Sequence, residues 1–465
     1  MNFRLFACLF VLLLGSHLCH VGALWAEENL SLAASAQMIQ GRALYRDIWF
    51  DKPPIWPAVY LLWGAKYGWP LRVAGAVYAL LVCWLTFWAA RVRWSDSEAR
   101  WAASLMAFFL IFDTHSAVLP LAVDLLMLAP HLAAIGFAWQ GRPLWSGICA
   151  GIAFCINAKA LFVLAACAAW IPRSIPLLTL GFALPNALAA ASLASSGAFS
   201  DYVDQVWRWG RIYAAQTFAG RPWQNGLVRT LNWIGFHAAI VIAAFHAADR
   251  DRWKWVWWVA ISLCAIALGL RFFPRYYFQL LPIVVLAAAR GIAHMPRLRR
   301  AIVLGLLLIP LIRFGPRYAT LASDRFAGRP HEWTDLAMDR DSREAAQIVR
   351  SLAKPGDTLL VWGYRPELFV YTGLPAASRF LDSQALTGVA ADRHLFESLS
   401  LAPEWARTNR QELIRSSPAF ILDGLGLYNP KLDIREFPDL REFLARYSLA
   451  GQSRYTKIYR RTAVP

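Results

Sequence analysis

The sequence predicts an all-α polytopic membrane protein over residues 1–316, joined to a small C-terminal α/β domain over residues 317–465. Three observations predict it. The chain has 465 residues, 58% of them hydrophobic, and a mean hydropathy of +0.39, too apolar for an ordinary soluble protein. The apolar residues bunch into runs such as 5–23, 99–111, 227–248 and 301–312, which approach the roughly 20 residues that cross a bilayer core as a helix. The runs are continuous rather than alternating, which selects helices over a closed barrel. After about residue 317 the composition changes: salt-rich helical stretches alternate with short apolar strands.

Taken in order, the pattern gives about eleven spans, at 5–23, 71–90, 99–116, 118–138, 144–157, 160–172, 173–194, 227–247, 255–270, 276–290 and 299–316. The first follows Arg4 and ends at Ala23 much as a signal peptide would, but the spans behind it favour a helix that stays attached. Basic residues sort the loops. Arg91, Arg93, Arg142, Arg173, Arg250 and Arg290 fall in one alternate set, and placing that set in the cytoplasm puts the N-terminus inside. Segments 24–70 and 196–226, the stretch around 271–275 and everything beyond about 317 then lie on the periplasmic side of a bacterial inner membrane. The net charge of +17 is accounted for by basic cytoplasmic loops and anionic lipid, not by nucleic acid.

Segment 24–70 is too patterned for a loop. Residues 28–40 carry Leu30, Ala33, Ala34 and Met38 at helical spacing before a Gly41 stop, and 55–67 carry Trp56, Tyr60, Trp63 and Tyr67. The expectation is two interfacial helices at head-group level, linked by a proline turn. In the C-terminal domain, helices are expected at 342–353 and 406–416, with strands at 358–362, 420–422 and 454–460. All seven cysteines, Cys8, Cys19, Cys83, Cys149, Cys155, Cys167 and Cys264, lie in or beside apolar segments. That pattern speaks against a disulfide framework or a zinc site.

Several polar residues sit where the bilayer disfavours them. Glu27 and Glu28 open a helix just beyond the first span, where backbone N–H groups and the helix dipole favour a carboxylate; simple capping is the plain alternative. Asp124 heads an otherwise apolar span, and ionisable residues there are costly and tend to be functional. Asp113 and His115 are weaker candidates in the preceding turn; with Asp124 they match no metal-ligand motif, so no metal ligand is assigned, although a divalent metal is left open. Lys52 lies in the stiff turn before Pro53 and Pro54. Arg271, Arg275 and Tyr276 mark a membrane mouth, and Lys159 is a similar cation between two spans. Cations on the side where the positive-inside rule predicts few point to an anionic ligand such as a phosphate; snorkelling to lipid head groups is the alternative. Of the 23 tryptophans, only Trp207 and Trp209 in loop 196–226 are candidates for sugar stacking, the rest reading as belt and packing.

The pair Glu27 and Glu28 after the first span, the Gly41-to-Asp47 stretch with Tyr45 four residues after the glycine, and then Asp51, Lys52, Pro53 and Pro54 resemble the first periplasmic loop of GT-C-fold glycosyltransferases. Within that fold the likeness is to the branch of protein O-mannosyltransferases and the lipid A aminoarabinose transferase. Asp124 matches a second acidic position, and residues 271–282 are similar to an Arg/Tyr-rich segment ending in Leu-Pro. The resemblance covers roughly residues 5–315. It implies an inverting transferase that moves a hexose or pentose from a polyprenyl-phosphate donor to a hydroxyl on a lipid, glycan or protein. Glu27, or Glu28 in its place, would act on the acceptor proton, with Asp124 as a second acid near the acceptor or a metal. Lys52, Arg271, Arg275, Tyr276 and Lys159 would contact the donor phosphate. The chain departs from the pattern at its first acid, usually Asp and here Glu27. The competing readings are a polyprenyl-lipid transporter or flippase, which would need ionisable residues through the midplane or inverted repeats, and a catalytically silent GT-C-like scaffold.

Overall fold

The computed structural model describes residues 2–215, 220–247, 249–329, 333 and 336–462; of loop 196–226, residues 216–219 lie outside the described residues. The chain opens with α1 (Phe3–Leu18) and continues through α2 (Ala26–Ile39), α3 (Ile55–Tyr60), α4 (Trp69–Arg93) and α5 (Asp96–Ile111). A short turn of helix, Val123–Leu126, leads into α6 (Leu128–Trp139), followed by α7 (Pro143–Phe154), α8 (Ala160–Trp170) and α9 (Ile175–Ser195). The expected loop that follows is helical over 199–215, with a π-helical stretch at Val203–Arg208; then come α10 (Pro222–Phe236), α11 (Ala238–Phe245), α12 (Arg252–Ala267), α13 (Leu281–His294), α14 (Arg297–Gly305) and α15 (Leu308–Phe326).

Among the described residues, two helical stretches are long and apolar enough to cross a membrane, Trp69–Arg93 and Pro172–Ser195, or three if the bent pair α10–α11 is one span. Other expected spans are shorter or interrupted. The 227–247 segment turns by 84° at His237. The 276–290 segment begins as a 3-10 stretch, Pro274–Gln279, and the 299–316 segment breaks after Gly305 and then runs on to Phe326. The breaks fall beside Gly235 and at Gly305, local helix weak points that an apolar run does not register.

The helices pack through small residues. Gly147 of α7 lies against the Leu178 carbonyl of α9, and Gly181 of α9 against the Leu144 carbonyl of α7; a Cβ at either position would collide with backbone. At one end of the bundle, Trp94, Trp139, Trp170, Trp255 and Trp258 pack ring against ring with centroids 5.5–6.3 Å apart. Arg93 reaches Asp249 at 2.8 Å and Asp251 at 2.6 Å at that same end.

The pair α2 and α3 buries one side in protein: Leu30, Leu32, Ala33 and Ala34 are fully buried, and Trp56 and Tyr60 both donate to the Leu121 carbonyl, at 2.8 and 3.2 Å. Leu61 and Leu62, just past α3, stay exposed. A second layer of protein packs against α2. That layer is built from α16 (Ala337–Leu352), β1 (Leu359–Trp362), α17 (Glu367–Thr372), α18 (Pro403–Ile414), β2 (Phe420–Asp423), β3 (Tyr447–Gln452) and β4 (Lys457–Arg461). The strands form one sheet in the order β1-β2-β4-β3, with β1 and β2 parallel and the rest antiparallel. The β1 and β2 strands are buried throughout, as unbroken apolar runs in a parallel pair should be. The β3 strand, with its polar and glycine-containing sequence, carried no strand signal; it pairs with β4 around a bulge at Leu449 and Gly451.

The two layers are sewn together along segment 24–70. Asn29 donates to Glu367 at 2.7 Å, the Ala376 N–H donates to the Gln37 side-chain oxygen at 2.9 Å, and the Trp49 N–H donates to the Arg379 carbonyl at 2.7 Å. Glu367 is itself buried beside Arg365, whose Nε lies 3.1 Å away, so the seam includes charge that only a complete partner set can hold.

Candidate active site

Where the two layers meet over the end of the bundle opposite the tryptophan cluster, they enclose a cavity of about 500 Å³. Glu27 lies in the first turn of α2 and lines it. Its Oε1 accepts from Arg275 Nη1 at 3.0 Å, and the Nε of the same guanidinium is 3.5 Å from Asp124 Oδ2. Arg275 therefore bridges the two carboxylates that the sequence singled out from segments almost a hundred residues apart. Asp124 is buried and held on its other side by Asn157, which donates to Oδ1 at 3.1 Å.

Asn157 also accepts from the Lys159 N–H at 3.0 Å, setting the turn between α7 and α8 that carries Lys159 into the cavity wall. The Lys159 ammonium has no hydrogen-bond partner among the described residues and sits 2.9 Å from the centroid of the Tyr276 ring. Burial lowers its pKa to about 7, against the pull of Asp124 and with help from Arg275. Opposite them Lys52 donates to Asp51 Oδ2 at 2.6 Å, and its ammonium is 5.8 Å from the Tyr213 ring. The Lys52 carbonyl accepts from the hydroxyl of Tyr45 at 2.7 Å; Tyr45 is buried and takes a φ of 68°, a left-handed backbone that a non-glycine residue holds only when pinned.

Six of the eight residues to which the resemblance gives a role, Glu27, Lys52, Asp124, Lys159, Arg275 and Tyr276, thus come to one cavity. The other two do not line it. Glu28 points the opposite way and makes a fully buried ion pair with Arg72 of α4, whose Nη2 also donates to the Ala23 carbonyl at 2.8 Å. A capping position fixes where a helix begins but not which side its neighbouring side chains face, and consecutive residues on a helix point about 100° apart. Arg271 is buried behind the wall, ion-paired with Asp392, donating to the Tyr213 carbonyl at 2.8 Å and stacked 3.6 Å from the Tyr213 ring. Trp207 lines the cavity, while Trp209 is buried in a separate core with Trp49. Asp113 pairs with His237 at 3.2 Å, and His115 is buried beside His20 and Tyr318. Among the described residues no group of three or more His, Cys, Asp or Glu is placed to hold a metal ion, and the gap between Glu27 and Asp124 is filled by Arg275.

Sequence reasoning missed the residues that the second layer contributes. Tyr364, two positions beyond β1, lines the cavity with Gln384, Ala391 and Asp392. The only sequence signal was positional: a polar residue just past the carboxyl end of a parallel strand, where ligand crevices tend to form. Just behind Asp51, burial and then the Asp51 charge push the Asp382 carboxyl up to about 7.

No protein-family model and no curated protein matches the chain. Solved structures do. The chain is similar over 99% of its length, and 98% of the other's, to ArnT from Cupriavidus metallidurans bound to undecaprenyl phosphate, with a TM-score of 0.62 at 12% identity. The apo state of the same ArnT matches with a TM-score of 0.62 at 13% identity, covering 100% of both chains. The apo oligosaccharyltransferase of Archaeoglobus fulgidus gives a TM-score of 0.50 at 11% identity over 93% of this chain and 70% of that one. The fold is therefore the GT-C fold anticipated from the first loop, extending through the C-terminal layer as well.

Proposed function

We propose that the chain is a membrane glycosyltransferase that moves a sugar from a polyprenyl-phosphate carrier to an acceptor hydroxyl, with inversion at the anomeric carbon. One observation carries the reading: a single cavity holds two carboxylates bridged by Arg275 next to Lys159, a buried ammonium with no hydrogen-bond partner among the described residues. A buried, unsatisfied cation is costly unless an anion completes it, and a lipid phosphate in the cavity would do so. The shared fold with an ArnT that binds undecaprenyl phosphate supports the same donor class.

In this reading the acceptor oxygen attacks the anomeric carbon from the side opposite the phosphate. Its proton passes to the Glu27 carboxylate as the carbon–oxygen bond to the phosphate breaks. The bonding pair leaves with the phosphate oxygen, where Lys159, Arg275 and Lys52 stabilise the added charge. A phosphate leaves without protonation, so a second acid is not required; Asp124 fixes Arg275 and the acceptor side of the cavity. We place the cavity and residues 317–465 on the periplasmic face of a bacterial inner membrane with the N-terminus inside. Arg93, Lys254 and Arg290, which lie over rings of the tryptophan cluster at the far end of the bundle, support that orientation.

The test is turnover. Purified protein in nanodiscs is given polyprenyl-phosphate-linked hexose, pentose and amino-sugar donors with envelope lipid, glycan and protein fractions. Mass spectrometry then follows both donor consumption and the modified acceptor. Consumption of one donor that is lost in Glu27→Gln supports the reading; no consumption of any donor, or full activity in Glu27→Gln, overturns it.

A further inference from the structure

The C-terminal layer reaches the cavity through Gln384, and the surroundings of its amide fix which way it faces. The Gln384 backbone N–H donates to Asp382 Oδ1 at 2.7 Å, locking the turn Gln384–Thr387. The side-chain oxygen accepts from the Ala391 N–H at 3.0 Å, which leaves the amide nitrogen aimed the other way, 3.4 Å from Asp51 Oδ2. That same oxygen receives the ammonium of Lys52 at 2.6 Å. Gln384 is almost wholly buried and Asp51 nearly so, whereas the Lys52 side chain is 36% exposed, on the cavity side of the chain of contacts.

We infer that Gln384 is a positioning residue for the donor phosphate: through Asp51 it holds the Lys52 ammonium at the cavity wall, so that residues 317–465 complete the binding site rather than form a separate module. This role rests on the reading of Lys52 as a phosphate-binding cation. An ammonium has three N–H donors. Asp51 takes one and fixes the direction of the other two, which a ligand's oxygens can then meet without first ordering a long flexible side chain. Asp51 can do so only if its own carboxylate is held, and its Oδ2 is held by the Gln384 amide from the far side. A glutamine suits the task because its oxygen is anchored by a backbone N–H while its nitrogen is a donor without charge. A lysine there would compete with Lys52 for Asp51, and a glutamate would repel it.

The experiment measures binding of undecaprenyl phosphate to the full-length protein in nanodiscs for the wild type, Gln384→Leu, Lys52→Met and the double variant. Gln384→Leu is expected to weaken binding about threefold to tenfold, the net worth of one hydrogen bond of ordinary strength, since the amide acts on the ligand only through Asp51 and Lys52. Lys52→Met is expected to weaken it further, and adding Gln384→Leu to Lys52→Met should change nothing more, because the amide then has no ammonium to place. Wild-type-like binding by Gln384→Leu overturns the assignment, and so does a loss that multiplies undiminished in the Lys52→Met background. A merely structural role would give that second result. Where Gln384→Leu does not yield a monodisperse protein, Asp51→Asn takes its place in the same cycle with the same outcomes. If the wild type itself does not bind the lipid phosphate, the proposed donor class fails first, and this role falls with it.

Discussion

The Lys159 ammonium makes a quantitative prediction about pH. Burial holds its pKa at about 7, against about 10.4 for a solvated lysine. A phosphodiester oxygen at about 4 Å and an effective dielectric of about 20 would stabilise the charged form by about 4 kcal/mol. At about 1.36 kcal/mol per unit, that restores the bound-state pKa to roughly 10. The sign follows from linkage. Below pH 7 the lysine is protonated in both states and affinity is level. Between 7 and about 10 binding must take up a proton, so affinity falls about tenfold per pH unit, or about a hundredfold from pH 6 to pH 9. The assay is equilibrium binding of the methyl ester of undecaprenyl phosphate, a diester whose single charge does not titrate in this range, to protein in nanodiscs at pH 6, 7, 8 and 9. Lys159→Arg keeps a permanent charge and should remove most of the slope, and Lys159→Met should bind weakly at every pH. Level wild-type affinity from pH 6 to 9 refutes the reasoning, as does an equally steep fall in Lys159→Arg.

Three further outcomes follow from the geometry. Glu27→Gln should lower the single-turnover transfer rate by about 10²- to 10⁴-fold while lipid-phosphate binding stays within a few-fold of wild type; a change of less than threefold in rate would remove Glu27 from the proton transfer. Glu28→Gln leaves Arg72 buried without its countercharge and should destabilise the protein by about 3–5 kcal/mol, read as a lowered melting temperature in detergent, whereas replacing both members with methionine should restore much of the loss. Gly147→Leu or Gly181→Leu must push α7 and α9 apart and should destabilise by about 1–3 kcal/mol or more, seen as reduced monodisperse yield; an unchanged melt would mean that the two helices do not pack at these glycines.

What the sequence disclosed and what it withheld divide along a physical line. Residues whose chemistry conflicts with their neighbours were visible: a carboxylate at the head of an apolar segment, such as Asp124, or a lysine before two prolines, such as Lys52. Desolvation cost singles out the first, and the second is a cation on the face where the positive-inside rule predicts few. Residues whose chemistry is ordinary until something distant arrives were not. Arg72 has no local signature, and its pairing with Glu28 takes the latter out of the cavity. Tyr364, Gln384 and Asp392 sit in a segment of unremarkable polarity, and they matter because β1 and the turns after it are laid over the bundle. Arg271 and Arg275 appeared equivalent four residues apart, yet one is claimed by Asp392 and the other by Glu27. Helix positions were legible from apolar runs, whereas the burial of α2 depends on a second layer with no local signature.

The hydrogen bond from Asn29 to Glu367 joins residues 338 positions apart. A ribosome adding roughly 5–20 residues per second needs roughly 17–70 s to travel between them. For that interval the nascent segment bearing Glu27 and Lys52 is already past the first helix, while the layer that clasps it has yet to be synthesised. A premature stop between α15 and α17 would therefore leave a chain that keeps its apolar helices but lacks the second layer over the cavity. Quality-control proteases that recognise unclasped loops would have a long window in which to act on it.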